Sequence, residues 1–132
     1  MDTIVPTVSA IRGAIGVEAD NPASIDAASA ALYRELLALN SLVESEVAYL
    51  LITQTSDLKS RNPATGLRKA GYCATTPLFC MQELEITGMM ERVIRMLLVV
   101  NHSMEKTVPV FMGGAERLRP EFAHPGSGGS FL

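Results

Sequence analysis

The sequence predicts an α+β domain in which a mixed β-sheet is packed with helices on one face. Three observations carry that reading. Short apolar or alternating stretches of strand length recur along the chain, two other stretches show helical spacing, and no linker divides them into separate units. At 132 residues the chain forms one domain, long enough for a real core but short for a pocket walled entirely by its own residues. An oligomer could supply the missing wall.

Residues 8–18 read as a first strand. Asn21 can then cap a helix whose first position suits Pro22, because proline has no N–H to satisfy there. Ile25, Ala28, Ser29, Leu32, Leu36 and Leu39 recur at helical spacing and form its core-facing stripe, with Asp26, Arg34 and Glu35 toward solvent. Asn40 is the expected stop. Residues 46–53, with Val47, Tyr49, Leu50, Leu51 and Ile52, form a second strand, and residues 54–62 are polar enough to predict a long exposed loop. Asn62-Pro63 opens and Gly71 closes a helix of about two turns, with Leu67 and Ala70 inward and Arg68 able to swing toward a neighbouring site. Residues 76–81 make a third strand, 91–101 a fourth and most apolar one, and 108–112 a fifth that Gly113-Gly114 interrupts. Residues 123–132, with three glycines between Pro125 and Ser130, read as a flexible tail.

A net charge of -3 and a pI near 5.3, with no basic cluster, argue against nucleic acid or an anionic membrane as partner. Arg outnumbers Lys eight to three, a bias toward planar, bidentate recognition of carboxylates. Cys73 and Cys80 have no second pair and no histidine cluster nearby, so neither a disulfide framework nor a metal site is indicated. Met1-Asp2-Thr3 does not begin a signal peptide, and no apolar run reaches the ~18 to 20 residues that span a bilayer. A soluble cytoplasmic protein is expected.

Arg95 is the most informative residue. It interrupts Val93-Ile94-Arg95-Met96-Leu97-Leu98, a run that reads as a buried strand without water to solvate a guanidinium. An unpaired buried cation is unfavourable by several kcal/mol and Arg cannot deprotonate, so an anion from the protein or a ligand must meet it. Arg12 poses the same question on the first strand, where Ala10 and Ala14 share its face and leave room beside the charge. The densest polar segment, Cys80-Met81-Gln82-Glu83-Leu84-Glu85-Ile86-Thr87-Gly88, leaves the third strand just before that of Arg95. Glu83 is either a structural ion-pair partner of Arg95 or a site carboxylate. By alternation Cys80 and Glu83 point to opposite faces, so both reach one pocket only if the chain bends after Cys80. Met81, Met89, Met90 and Met96 read as fillers of core or interface gaps, and His102 and His124 as solvent-exposed.

Ile11-Arg12-Gly13-Ala14, Cys80-Met81-Gln82-Glu83, Thr87-Gly88, Val93-Ile94-Arg95 and Leu118-Arg119-Pro120, in this order, resemble the monofunctional chorismate mutases of the AroH class. Thr55-Ser56-Asp57-Leu58 is similar to that family's Thr-Pro-Asp-Leu loop, with Ser56 in place of proline. The resemblance implies a homotrimer of pseudo-α/β-barrel character, with sites in clefts between adjacent subunits. It also implies rearrangement of chorismate to prephenate, in the shikimate route to aromatic amino acids, without cofactor or metal.

Carried over by position, Arg12 would bind a substrate carboxylate, Arg95 the ether oxygen and a carboxylate, and Glu83 with Cys80 the ring hydroxyl. Arg68 and Arg119 would close the cleft edge, with Arg117 able to exchange roles with Arg119, and Ala64 would line the pocket. Three further positions depart from the family pattern. Phe111 replaces a tyrosine whose hydroxyl meets a substrate carboxylate, Asn62 a phenylalanine and Thr65 a lysine. Two other readings fit the same residues: an enzyme acting on isochorismate or a modified chorismate, and a non-catalytic carboxylate-binding protein on the same fold.

Overall fold

The computed structural model describes residues 7–122. The expected tail, residues 123–132, and His124 within it lie outside the described residues. The elements run β1 (Ser9–Gly16), α1 (Pro22–Leu39), β2 (Val47–Gln54), α2 (Pro63–Lys69), β3 (Leu78–Gln82), β4 (Val93–Val100) and β5 (Val110–Met112). Three short 3-10 turns, Glu44–Glu46, Ala115–Leu118 and Pro120–Phe122, add to the elements read from the sequence. No helix among the described residues is long and apolar enough to cross a membrane.

Local chemistry sets the helix ends. The Asn21 side chain accepts the Ser24 N–H at 2.8 Å, and Pro22 takes the first helical position. At the other end Asn40 donates to Leu36 O at 2.8 Å and Val108 O at 2.9 Å, and accepts the Val108 N–H at 2.7 Å. One amide thus ends α1 and ties it to the approach of β5. Both β3 and β5 begin later than their apolar patterns suggest. Pro77 and Pro109 immediately precede them, and a proline has no N–H for a ladder.

The five strands form one mixed sheet in the order β3-β2-β4-β1-β5. β4 pairs antiparallel with β1 and β2, while β5 runs parallel to β1 and β3 parallel to β2. Alternation divides the side chains of the sheet. Ile11, Ile15, Leu50, Ile52, Ile94, Met96 and Leu98 join Ile25, Leu32 and Leu36 of α1 in the main core. The opposite face carries Arg12 and Ala14 of β1, Thr53 of β2 and Arg95 of β4. Both helices pack on the core side, as expected, and among the described residues the face that holds the arginines is covered at its β1–β5 end by the turn Ala115–Leu118 and Met90.

The loop after β2 differs from its expected exposure. Thr55 and Leu58 are 8% and 3% exposed. Thr55 continues to pair with β4, its N–H donating to Val93 O at 3.0 Å and its hydroxyl accepting the Val93 N–H at 3.0 Å, while Leu58 enters the core. A polar composition conceals these two anchors.

Candidate active site

A straight row crosses the helix-free face. Met81, Thr53, Arg95, Ala14 and Phe111 are successive register partners on β3, β2, β4, β1 and β5. Arg12 pairs with Leu97, one step diagonal from Arg95. Arg12, Ala14, Arg95, Phe111, Leu118 and Arg119 line one cleft of about 240 Å³. The small Ala14 opposite Arg95 keeps the floor open, and Phe111, only 6% exposed, packs with Ala14, Val93 and Ala115 as one wall. Arg119 lines this cleft and Arg117 does not.

The Arg95 side chain is 34% exposed, which corrects the expectation of a guanidinium sealed from water. Alternation places it on the face of β4 turned away from α1 and α2, where Arg95 and Leu97 are half-buried while the other face is fully buried. Its anionic partner is Glu83, with Nη1 donating to Oε2 at 2.9 Å and the carboxylate side chain only 10% exposed. The other carboxylate oxygen accepts the Thr53 hydroxyl at 2.8 Å. Arg119 donates through Nε to Glu121 at 3.0 Å, and the same carboxyl feels the charge of Arg12. Its own backbone N–H, then Arg119, hold the Glu121 carboxyl below the ordinary carboxylate range.

Cys80, Ala64 and Arg68 stand elsewhere. Cys80 pairs in register with Ile52, a core-facing residue, so its thiol points to the helix side while Glu83 reaches the other face. The two do not share a pocket within one chain. The Cys80 thiol donates to Asn62 Oδ1 at 3.2 Å, and that same oxygen caps α2 by accepting the Ala64 N–H at 2.9 Å. Desolvation pushes the thiol above its ordinary pKa, against the pull of the Ala64 N–H and of Arg68. Cys80 is therefore a neutral contact rather than a thiolate nucleophile at neutral pH. Arg68 is exposed in the last turn of α2 and lines a groove of about 710 Å³ with Tyr49, Pro77 and Phe79.

The residues expected at one site thus fall into two groups within a chain. Arg12, Arg95, Glu83, Phe111 and Arg119 meet on the open face, while Ala64, Cys80 and Arg68 gather at the β3 edge. Beside the second group Phe79, Tyr49 and Met81 are 74%, 43% and 44% exposed, and Leu84 and Ile86, in the segment that follows β3, are 78% and 59% exposed. Sequence reading missed Thr53. Its only signal was a hydroxyl in an apolar strand, and its partner became visible once the register of β2 against β4 was known.

Residues 8–122 match the family model described as chorismate mutase type I. The chorismate mutase AroH of Thermus thermophilus is 36% identical over 117 residues, covering 86% of this chain and 95% of that protein. The chorismate mutase AroH of Bacillus subtilis (strain 168) is 27% identical over 118 residues, covering 88% and 93%. Among solved structures, the chorismate mutase from Clostridium thermocellum aligns with a TM-score of 0.70 and 34% identity, covering 74% of this chain and 87% of that one. The family match spans every element from β1 to the turn at Pro120–Phe122, and with it both groups of candidate site residues. This chain belongs to the chorismate mutase type I family.

Proposed function

We infer that this protein is a chorismate mutase, catalysing the Claisen-type rearrangement of chorismate to prephenate in aromatic amino-acid biosynthesis. The observation that carries the reading is the cleft in which Arg95, already oriented by Glu83, lies beside Arg12 and Arg119 on the sheet face that α1 and α2 leave free. The reaction breaks a carbon–oxygen ether bond and forms a carbon–carbon bond within one molecule, with no nucleophile and no obligatory proton transfer. Catalysis therefore rests on holding the enolpyruvyl side chain over the ring and on a fixed cation where the ether oxygen gains negative charge. Arg95 is that cation. Arg12 and Arg119 bind substrate carboxylates, Glu83 positions Arg95 and meets the ring hydroxyl, and Phe111 packs the wall. Even an acceleration of ~10⁶ requires about 8 kcal/mol of selective transition-state stabilisation, so positioning and electrostatics must act together.

The active unit in this reading is a homotrimer. An exposed apolar patch at the β3 edge is the kind of surface that a second copy covers. Bringing that edge over the arginine face of a neighbour adds Arg68, Ala64 and Cys80 to Arg12 and Arg95 and supplies the wall that one chain lacks.

The test follows prephenate formation from chorismate above the spontaneous background. Arg95→Lys is expected to lower kcat by about 10²-fold or more, since a point charge replaces a planar donor array, and Arg95→Ala by more still. Variants as active as the parent would remove Arg95 from this role. Mixing Arg95→Ala chains with Arg68→Ala chains should restore activity if each site draws on two subunits. Mixtures that form trimers but stay inactive would oppose a shared site.

A further inference from the structure

Glu83 is held from two sides. Its Oε2 accepts from Arg95 Nη1 at 2.9 Å, and its Oε1 accepts from the Thr53 hydroxyl at 2.8 Å. Thr53 and Arg95 are direct register partners on β2 and β4, so their side chains rise side by side from the same face. Glu83 comes from just beyond β3, where its backbone N–H reaches Gln54 O at a long 3.4 Å. A carboxylate on such a segment, beside a planar guanidinium, is drawn toward the two-oxygen fork with two parallel N–H bonds. The Thr53 hydroxyl instead holds Oε1 toward β2 and so sets the angle at which the carboxylate meets the guanidinium. The result is an end-on contact, and among the described residues Nη1 is the nitrogen of Arg95 that meets a protein acceptor.

Resting on the chorismate mutase reading, we infer that Thr53 is a positioning residue for the rearrangement: by capturing Glu83 Oε1 it holds the Glu83–Arg95 pair end-on and keeps the other guanidinium donors for the ether oxygen. The logic is one of donor allocation. A forked pair would commit a second guanidinium N–H to the protein, and the developing charge on the ether oxygen would meet a weaker donor array. Thr53 acts through Glu83 and Arg95, not on the substrate. Valine has nearly the same shape as threonine but no hydroxyl, which makes Thr53→Val the informative change, and Thr53→Ser keeps the donor without the methyl group.

The experiment measures kcat and KM for chorismate, together with Tm, for the parent, Thr53→Val and Thr53→Ser. Thr53→Val should lower kcat about ten-fold, as loss of one hydrogen bond to a charged group implies, with KM changed by less than about two-fold. Thr53→Ser should bring kcat back to within about three-fold of the parent, because its hydroxyl can still donate to Glu83. In a Glu83→Ala background, Thr53→Val should remove nothing further, since the oxygen it positions is gone. Full kcat in Thr53→Val overturns the inference, as does an equal loss in Val and Ser, or a loss that persists unchanged in the Glu83→Ala background. A parent that forms no prephenate would overturn the chorismate mutase reading itself, and the inference with it.

Discussion

Asp57 accepts the backbone N–H of Arg92 on both carboxylate oxygens, at 3.2 Å and 3.0 Å. Oδ1 also accepts the Thr55 hydroxyl at 2.6 Å, and that hydroxyl accepts the N–H of Val93. Arg92 stands at φ 50, a left-handed conformation that residues with a Cβ rarely occupy. The carboxylate holds the chain in that turn where β4 begins, and so fixes the strand that presents Arg95.

Asp57→Ala is accordingly expected to destabilise the fold by about 2 to 3 kcal/mol, the range for hydrogen bonds to a charged acceptor when the partner groups are left half-buried. Asp57→Asn keeps one acceptor oxygen and should lose about half as much. Urea unfolding of the three proteins decides this, and a loss below about 0.5 kcal/mol in the alanine variant would show the clasp to be idle.

Phe111 is packed at the cleft wall opposite Ala14, in the row that contains Arg95. Phe111→Tyr adds a single hydroxyl at the rim of a cationic cleft, where it can donate to a substrate carboxylate without altering the charge array. The expected result is a KM lowered by about three- to ten-fold with kcat within about two-fold, the signature of binding shared equally by ground and transition states. An unchanged KM would mean that the ring at this position points its edge away from the substrate.

Much of the fold was legible because its signals are local. Asn21, Pro22 and Asn40 mark the helix ends through bonds to residues close in sequence, and strand alternation already separated Cys80 from Glu83. Arg95 was recognisable as a cation needing a carboxylate, and Glu83 is that carboxylate. Its exposure was misread, because an apolar strand reads as buried on both faces, and whether a second layer covers the sheet is not written in the strand itself. Thr53 and the Asp57–Arg92 clasp were illegible for a related reason. Each joins segments whose adjacency depends on sheet register, and a threonine or aspartate in isolation carries no mark of its distant partner.

The ion pair of His102 and Glu46 sets a pH window for stability. His102 Nε2 lies 2.7 Å from Glu46 Oε2, while Glu46 Oε1 accepts the Val43 N–H at 3.0 Å. Glu46, then the Ser103 carbonyl, raise the His102 pKa above its ordinary 6.5, so its contribution is complete below 6.5 and is lost as pH rises through the raised value. The Val43 N–H, then His102, lower Glu46 below its ordinary 4.5, so its contribution is complete above 4.5 and is lost as pH falls through the lowered value. Tm should therefore hold between these limits and decline on the alkaline side as the imidazolium deprotonates. His102→Gln should lack that alkaline step, and parallel Tm profiles for parent and variant would show that the pair contributes nothing.

Gly16 and Gly113 bring β1 and the end of β5 into backbone contact. A Cβ at Gly16 would overlap the Gly113 carbonyl, and one at Gly113 would stand 2.6 Å from Gly16 O on a residue already at φ +63. Neither obstacle is the far end of a flexible side chain, so the strands themselves must separate. Gly16→Ala is expected to destabilise the fold by about 3 kcal/mol or more. It should lower activity further, because the displaced segment leads from Phe111 into the turn before Arg119. Gly71, at φ +88 with open space around its missing Cβ, offers the control: Gly71→Ala should cost only about 1 to 2 kcal/mol, the penalty for a left-handed residue with a Cβ. Urea unfolding of both variants separates crowding from conformational strain, and equal losses at the two positions would show that the Gly16–Gly113 approach is not tightly packed.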